Sequence, residues 1–276
     1  MAYKTILLCL NEIDRVPQLI AVARQLGVKF NAHISGLYVI PAVQVIPTDG
    51  YGVAPAVFDN VQKYFKDKLP NVREAFEHGM KEDKLAYDLR VVESSQSVIA
   101  SDVIENCRNV DLVVASAIDR EMGDNVETDF VERIVLSAGR PVMILPFKGK
   151  AEIKFDDVML GWNDSRESAR ATFDALPFMQ RAKRTKIVTV DAAPRGGIEG
   201  ANIAETLDRD GVKCEVLNVA SAGMSTGETL LRAANDHGAG LLVLGAYGHT
   251  RLTEWVFGGA TRYVLRNLDR PVLMSH

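Results

Sequence analysis

The chain spells one closing strand twice. Arg140-Pro-Val-Met-Ile-Leu145 and Arg270-Pro-Val-Leu-Met274 share their opening and their apolar character. Each follows a buried-strand run, Val110-Asp-Leu-Val-Val-Ala115 or Ala239-Gly-Leu-Leu-Val-Leu244, then a loop and a helical pattern. The openings also correspond. Thr5-Ile-Leu-Leu-Cys-Leu-Asn11 and Asp157-Val-Met-Leu-Gly-Trp-Asn163 are apolar runs ending in Asn, each followed by an acidic residue and an amphipathic helix pattern. Such self-similarity over 276 residues fixes the architecture before any other feature. It predicts a unit of roughly 140 residues used twice, as domains 1–147 and 156–276, with residues 147–155 the only plausible linker.

Within each unit short Val/Ile/Leu strands alternate with helical patterns. In the second half the strands fall at 157–162, 186–191, 212–218, 240–245 and 271–275. In the first they fall near 4–10, 32–39, 87–92, 111–116 and 142–146. Continuous apolar strands with helices between them predict a parallel sheet covered on both faces. Right-handed crossovers then give a doubly wound fold, with a ligand crevice at the carboxyl ends of the strands. The first half adds residues 41–84, a Pro/Gly-rich stretch and then helical spacing from Val57, which Pro70 is expected to break or kink.

Composition excludes several classes. Net charge is -4, and the densest basic cluster, Arg181, Lys183, Arg184 and Lys186, reads as a solvated helix end, so no nucleic-acid partner is expected. No apolar run reaches bilayer length, and the six-residue run after MAYK is too short for a signal peptide, so no membrane partner is expected either. Cys9, Cys107 and Cys214 are odd in number and set in apolar contexts, which predicts buried free thiols.

Chemistry concentrates in Gly245-Ala-Tyr-Gly248-His-Thr-Arg-Leu-Thr-Glu-Trp-Val-Phe-Gly258-Gly259-Ala-Thr261. A phosphate needs backbone N–H groups that no Cβ obstructs, and a helix N-terminus adds donors and partial positive charge. Glycines at a strand end and at the next helix start meet both needs, although loops also use glycine simply to turn. The spacing G-x2-G-x9-G of Gly245, Gly248 and Gly258 resembles the phosphate-binding pattern of the universal stress protein family. The repeat, the opening Val-Met-Leu-Gly-Trp-Asn-Asp-Ser and the ending Asp-Arg-Pro-Val-Leu-Met are similar to that family too.

The resemblance implies two tandem five-stranded domains of strand order 3-2-1-4-5. It implies that strands 141–146 and 271–275 pair antiparallel within one chain, giving a pseudo-twofold and an intrachain pseudo-dimer, with a homodimer also open. It implies a cytoplasmic stress-response protein that binds ATP, with Mg²⁺ accompanying the phosphates, in its C-terminal half and acts as sensor or adaptor. The ligand positions it suggests are Asn163, Val190, Gly245, Gly248, His249, Gly258, Gly259, Ala260 and Thr261. Gly259 departs from the pattern, which has Ser or Thr there; losing one hydroxyl weakens phosphate contact without removing the backbone cradle. Asn163, or the adjacent Asp164, stands where the family reads adenine. Asp164-Ser-Arg-Glu167 also has the form of an N-cap with Glu at N3, which favours Asn163 as the ligand.

His249 has no identified carboxylate partner and reads as a loop residue or phosphate contact rather than a general base. With no Walker lysine either, the enzyme reading is at most a slow ATP hydrolase or other ATP-using enzyme. A nucleotide-free scaffold is the third reading. In the first half Ser116, Asp119 and Asp129 replace the three glycines. Glu121, Asp124 and Glu127 join the two Asp there and would repel a polyphosphate.

Overall fold

The computed structural model describes residues 2–43, 56–118, 125–148, 154–192, 200–248 and 259–276. These form two compact units, Tyr3–Ala138 and Gly139–His276.

The N-terminal unit alternates β1 (Thr5–Cys9), α1 (Val16–Phe30), β2 (His33–Ile40), α2 (Ala56–Glu82), β3 (Tyr87–Glu93), α3 (Ile99–Cys107), β4 (Leu112–Ser116) and α4 (Phe130–Ser137). Its sheet is parallel, with β1 between β2 and β4 and β3 outside β2. β1, β2 and β4 are buried almost throughout, as strands sandwiched between helices must be. Pro70 does not break α2, which runs through it as one helix. Pro70 and Lys66, four residues before it, are both exposed, so water can satisfy the carbonyl that the missing N–H leaves. Buried Phe65, Val72 and Phe76 hold the helix on either side.

The C-terminal unit begins with β5 (Val142–Leu145) and continues through β6 (Asp157–Gly161), α5 (Arg166–Asp174), α6 (Leu176–Met179), β7 (Arg184–Val190), α7 (Ala201–Arg209), β8 (Cys214–Val219), α8 (Thr226–Asp236), β9 (Leu241–Gly245), α9 (Gly259–Arg266) and β10 (Val272–Ser275). Its parallel order is β8-β7-β6-β9-β10, the repeat's own strands in the order 3-2-1-4-5. β5 completes the sheet antiparallel to β10, with Met143 opposite Leu273. Both strands are fully buried, and each covers the apolar edge that the other would leave open to another chain. The order reverses between β6 and β9, so their carboxyl ends diverge and leave a crevice.

Candidate functional site

That crevice holds a cleft of about 630 Å³, its open mouth included. Its walls come from the ends of three strands and the starts of two helices. Gly161, Trp162 and Asn163 follow β6, Val188 to Val190 end β7, and Leu244 and Gly245 end β9. Thr226 and Leu230 come from α8, and Ala260 and Thr261 from α9. No described residue of this lining carries a charge. Such a neutral, largely apolar cleft with a few hydroxyl and amide groups suits a planar, uncharged moiety of a ligand.

Local sequence explains the cleft's rim. Ser165 caps α5: its Oγ accepts from the Ser168 N–H at 3.1 Å, while Ser168 Oγ accepts from the Ser165 N–H at 3.1 Å. This reciprocal box overturns the expectation that Asp164 caps with Glu167. Asp164 instead has φ +56, outside the extended conformation of a capping residue. Asn163 stands exposed at the rim, its Oδ1 accepting only a 3.3 Å bond from Ser165 N–H.

Thr261 is buried, and its Oγ1 accepts the Tyr247 N–H at 3.3 Å, tying the start of α9 to the loop after β9. His276 Nδ1 lies 3.0 Å from the Ala246 carbonyl. A carbonyl only accepts, so that nitrogen carries the proton. Left-handed backbone at residues other than glycine recurs along this edge: Asp164, Asp191, Ala222 and Tyr247 follow β6, β7, β8 and β9 in turn. Each such residue costs about 1 kcal/mol or more, and such strain gathers where a surface is shaped for binding.

The glycines of the loop play different parts. A Cβ on Gly245 would collide with Ser168 N and the Glu167 carbonyl, so this glycine lets β9 approach the backbone of α5. A Cβ on Gly248 would meet Glu167 Oε2 at 2.9 Å and Ser165 Oγ at 3.1 Å. Gly259 has nothing within 4 Å of its Cβ position. Of the nine predicted positions, Asn163, Val190, Gly245, Ala260 and Thr261 share the cleft. Gly248 lies against α5 and Gly259 starts α9, while His249 and Gly258 lie outside the described residues.

Trp162, Thr226 and Leu230 were not foreseen. Trp162, directly before Asn163, was within reach of the repeat alignment; Thr226 and Leu230 become wall only because α8 packs beside the crevice.

The cysteines offer no nucleophile. Cys9 and Cys107 are buried and Cys214 half-buried, all free. Burial pushes the Cys107 thiol up to about 12 and Cys214 to about 11. No helix among the described residues is long and apolar enough to cross a membrane.

Fold and cleft together define a doubly wound α/β domain with an open ligand crevice at its switch point. Residues 161–276 match the model of the Universal stress protein family, so this part of the chain is similar to that family. Universal stress protein Slr1230 of Synechocystis sp. is 30% identical over 148 residues, 52% of this chain and 49% of the relative, so the match spans about half that protein's length. The crystal structure of a universal stress protein from Archaeoglobus fulgidus has a TM-score of 0.71 at 15% identity, covering 98% of this chain and 97% of its own. The cytoplasmic domain of a prokaryotic cation chloride cotransporter superposes with a TM-score of 0.50 at 11% identity over 100% of this chain and 96% of its own. The fold therefore does not by itself assign a function.

Proposed function

We propose that the C-terminal half binds an adenine nucleotide, ATP with Mg²⁺ on its phosphates, and that the protein acts as a sensor or adaptor in the cytoplasm rather than as an efficient enzyme. The observation that carries this reading is the meeting of Asn163, Val190, Gly245, Ala260 and Thr261 around one uncharged cleft at the switch point. The neutral walls suit a base and ribose. Asn163 keeps an amide that can both donate to and accept from a base edge. The open space at Gly259 leaves room for phosphate oxygens beside the first turn of α9, whose partial positive charge favours them.

Among its described residues the same lining holds no general base and no lysine for a γ-phosphate. Hydrolysis should therefore be slow, on the order of one turnover per minute or less against about 10 per second for an ordinary enzyme. Nucleotide released from the purified, denatured protein, identified by mass spectrometry, tests the reading. Adenine nucleotide is the expected result. Its absence, together with no titratable binding of ATP·Mg²⁺, would overturn it.

A further inference from the structure

Beside the neutral cleft lies one buried charge. Glu167, the second residue of α5, is 5% exposed. Its Oε1 takes both contacts from Arg166, at 3.0 and 2.8 Å, while its Oε2 stands 2.9 Å from where a Gly248 Cβ would be. The carboxylate therefore lies directly against the glycine loop after β9. Burial alone would raise its pKa, but its own backbone N–H, Arg166 and then His276 outweigh that and hold it below the usual value, so it is ionised at neutral pH. Arg166 offsets this charge only in part, because that side chain is 85% exposed and its own charge is screened by solvent. A free polyphosphate brought against Gly248 would meet a negative charge that its partners offset only in part.

We propose that Glu167 sets the charge of the ligand this site accepts, so that a nucleotide polyphosphate binds as its divalent-cation complex and the free polyanion is disfavoured. The inference rests on the nucleotide reading above and deepens it. Glu167 also has an ordinary role available, as an acid near a helix N-terminus that favours the helix dipole. That role alone predicts no change in the cation dependence of affinity when Glu167 is neutralised, which separates the two.

Titration calorimetry of wild type and Glu167→Gln, with ATP in EDTA and with ATP plus Mg²⁺, tests this. In wild type the free nucleotide should bind about tenfold more weakly than the complex, the scale of one nearby charge in a partly solvated setting. In Glu167→Gln the difference should shrink, chiefly because affinity in EDTA rises. Arg166→Ala, which alters an exposed side chain, should widen it. If Glu167→Gln fails to fold, Arg166→Ala alone decides, and an unchanged difference there overturns the proposal. An unchanged difference in a folded Glu167→Gln overturns it equally. Binding of neither form to any of the proteins would overturn the nucleotide reading itself, a distinguishable failure.

Discussion

Asn11 and Asn163 end the first strands of the two repeats, and the structure uses them in opposite ways. Asn11 is buried. Its Nδ2 donates to the Val39 carbonyl at 2.7 Å and its Oδ1 accepts the Val39 N–H at 3.0 Å, which extends the ladder between β1 and β2 beyond its backbone. Asn163 is exposed at a cleft and makes one long bond. The loops after the fourth strands diverge likewise. In the N-terminal unit Ser116 is buried with its Oγ donating to the adjacent Ala117 carbonyl, and Glu127 accepts the Ile99 N–H at the start of α3. That unit spends its own carboxylate on a helix N-terminus. In the C-terminal unit the corresponding helix, α8, starts at Thr226 on the cleft wall. Among the described residues other than glycine, the left-handed ones of the N-terminal unit, Asn31 and Lys84, follow α1 and α2, whereas those of the C-terminal unit follow the strands of its crevice. One frame is thus finished differently at these described positions in its two uses.

The largest expected effect is at Gly245. Valine there must collide with the backbone of α5, not with a side chain that can turn away, and should destabilise the C-terminal unit by about 3 kcal/mol. Ser116→Ala, at the matching position, loses one local hydrogen bond and should cost about 1 kcal/mol. Urea denaturation of both variants checks the contrast, and equal losses would break it.

Next in size is the asparagine pair. Asn11→Ala strands a buried carbonyl and a buried N–H of Val39 and should cost about 2–3 kcal/mol of stability. Asn163→Ala should stay within about 0.5 kcal/mol in stability while weakening nucleotide binding. Denaturation and calorimetry on the same samples separate the two outcomes.

Acid titration of the two glutamates sharpens the comparison further, because their shifts have opposite sign. Burial raises the pKa of Glu127 against the bonds from backbone N–H groups and the charge of Arg133. Its contribution to stability is present below the unfolded value near pH 4 and is lost as pH rises through the folded one. Glu167 is lowered, so its contribution is present above about pH 4 and lost as pH falls through its folded value. At pH 7 Glu127→Gln should therefore stabilise slightly and Glu167→Gln destabilise, with both differences fading toward pH 3 or 4. Thermal melts across that range check the signs.

The smallest expected effect is a gain. Gly259→Ser places a hydroxyl in open space and should tighten triphosphate binding by about 1 kcal/mol, one hydrogen bond.

The strands themselves were legible because repeats and apolar runs are properties of sequence, whereas their order and the antiparallel pairing of β5 with β10 were what the resemblance implied. The position of the cleft followed from topology. The roles of particular residues were harder. Asp164 and Ser165 both have capping side chains, and only the backbone angles decide between them. Gly245 and Gly248 read alike in the loop, yet one makes room for a helix backbone and the other for a carboxylate, a difference set by α5 from far along the chain. Glu167 looked like a surface acid at N3; its burial depends on packing against a loop some eighty residues later. Pro70 sits inside α2 against a local rule, at an exposed position where solvent reduces the cost.

The stoichiometry of nucleotide binding tests the central claim most directly. Titration calorimetry of the full chain with ATP·Mg²⁺ should give one site per chain, unchanged by Ser116→Ala in the N-terminal unit and lost or severely weakened in a folded Gly248→Val. Two equivalent sites, or undiminished binding in folded Gly248→Val, would contradict the proposal that the C-terminal half alone binds nucleotide.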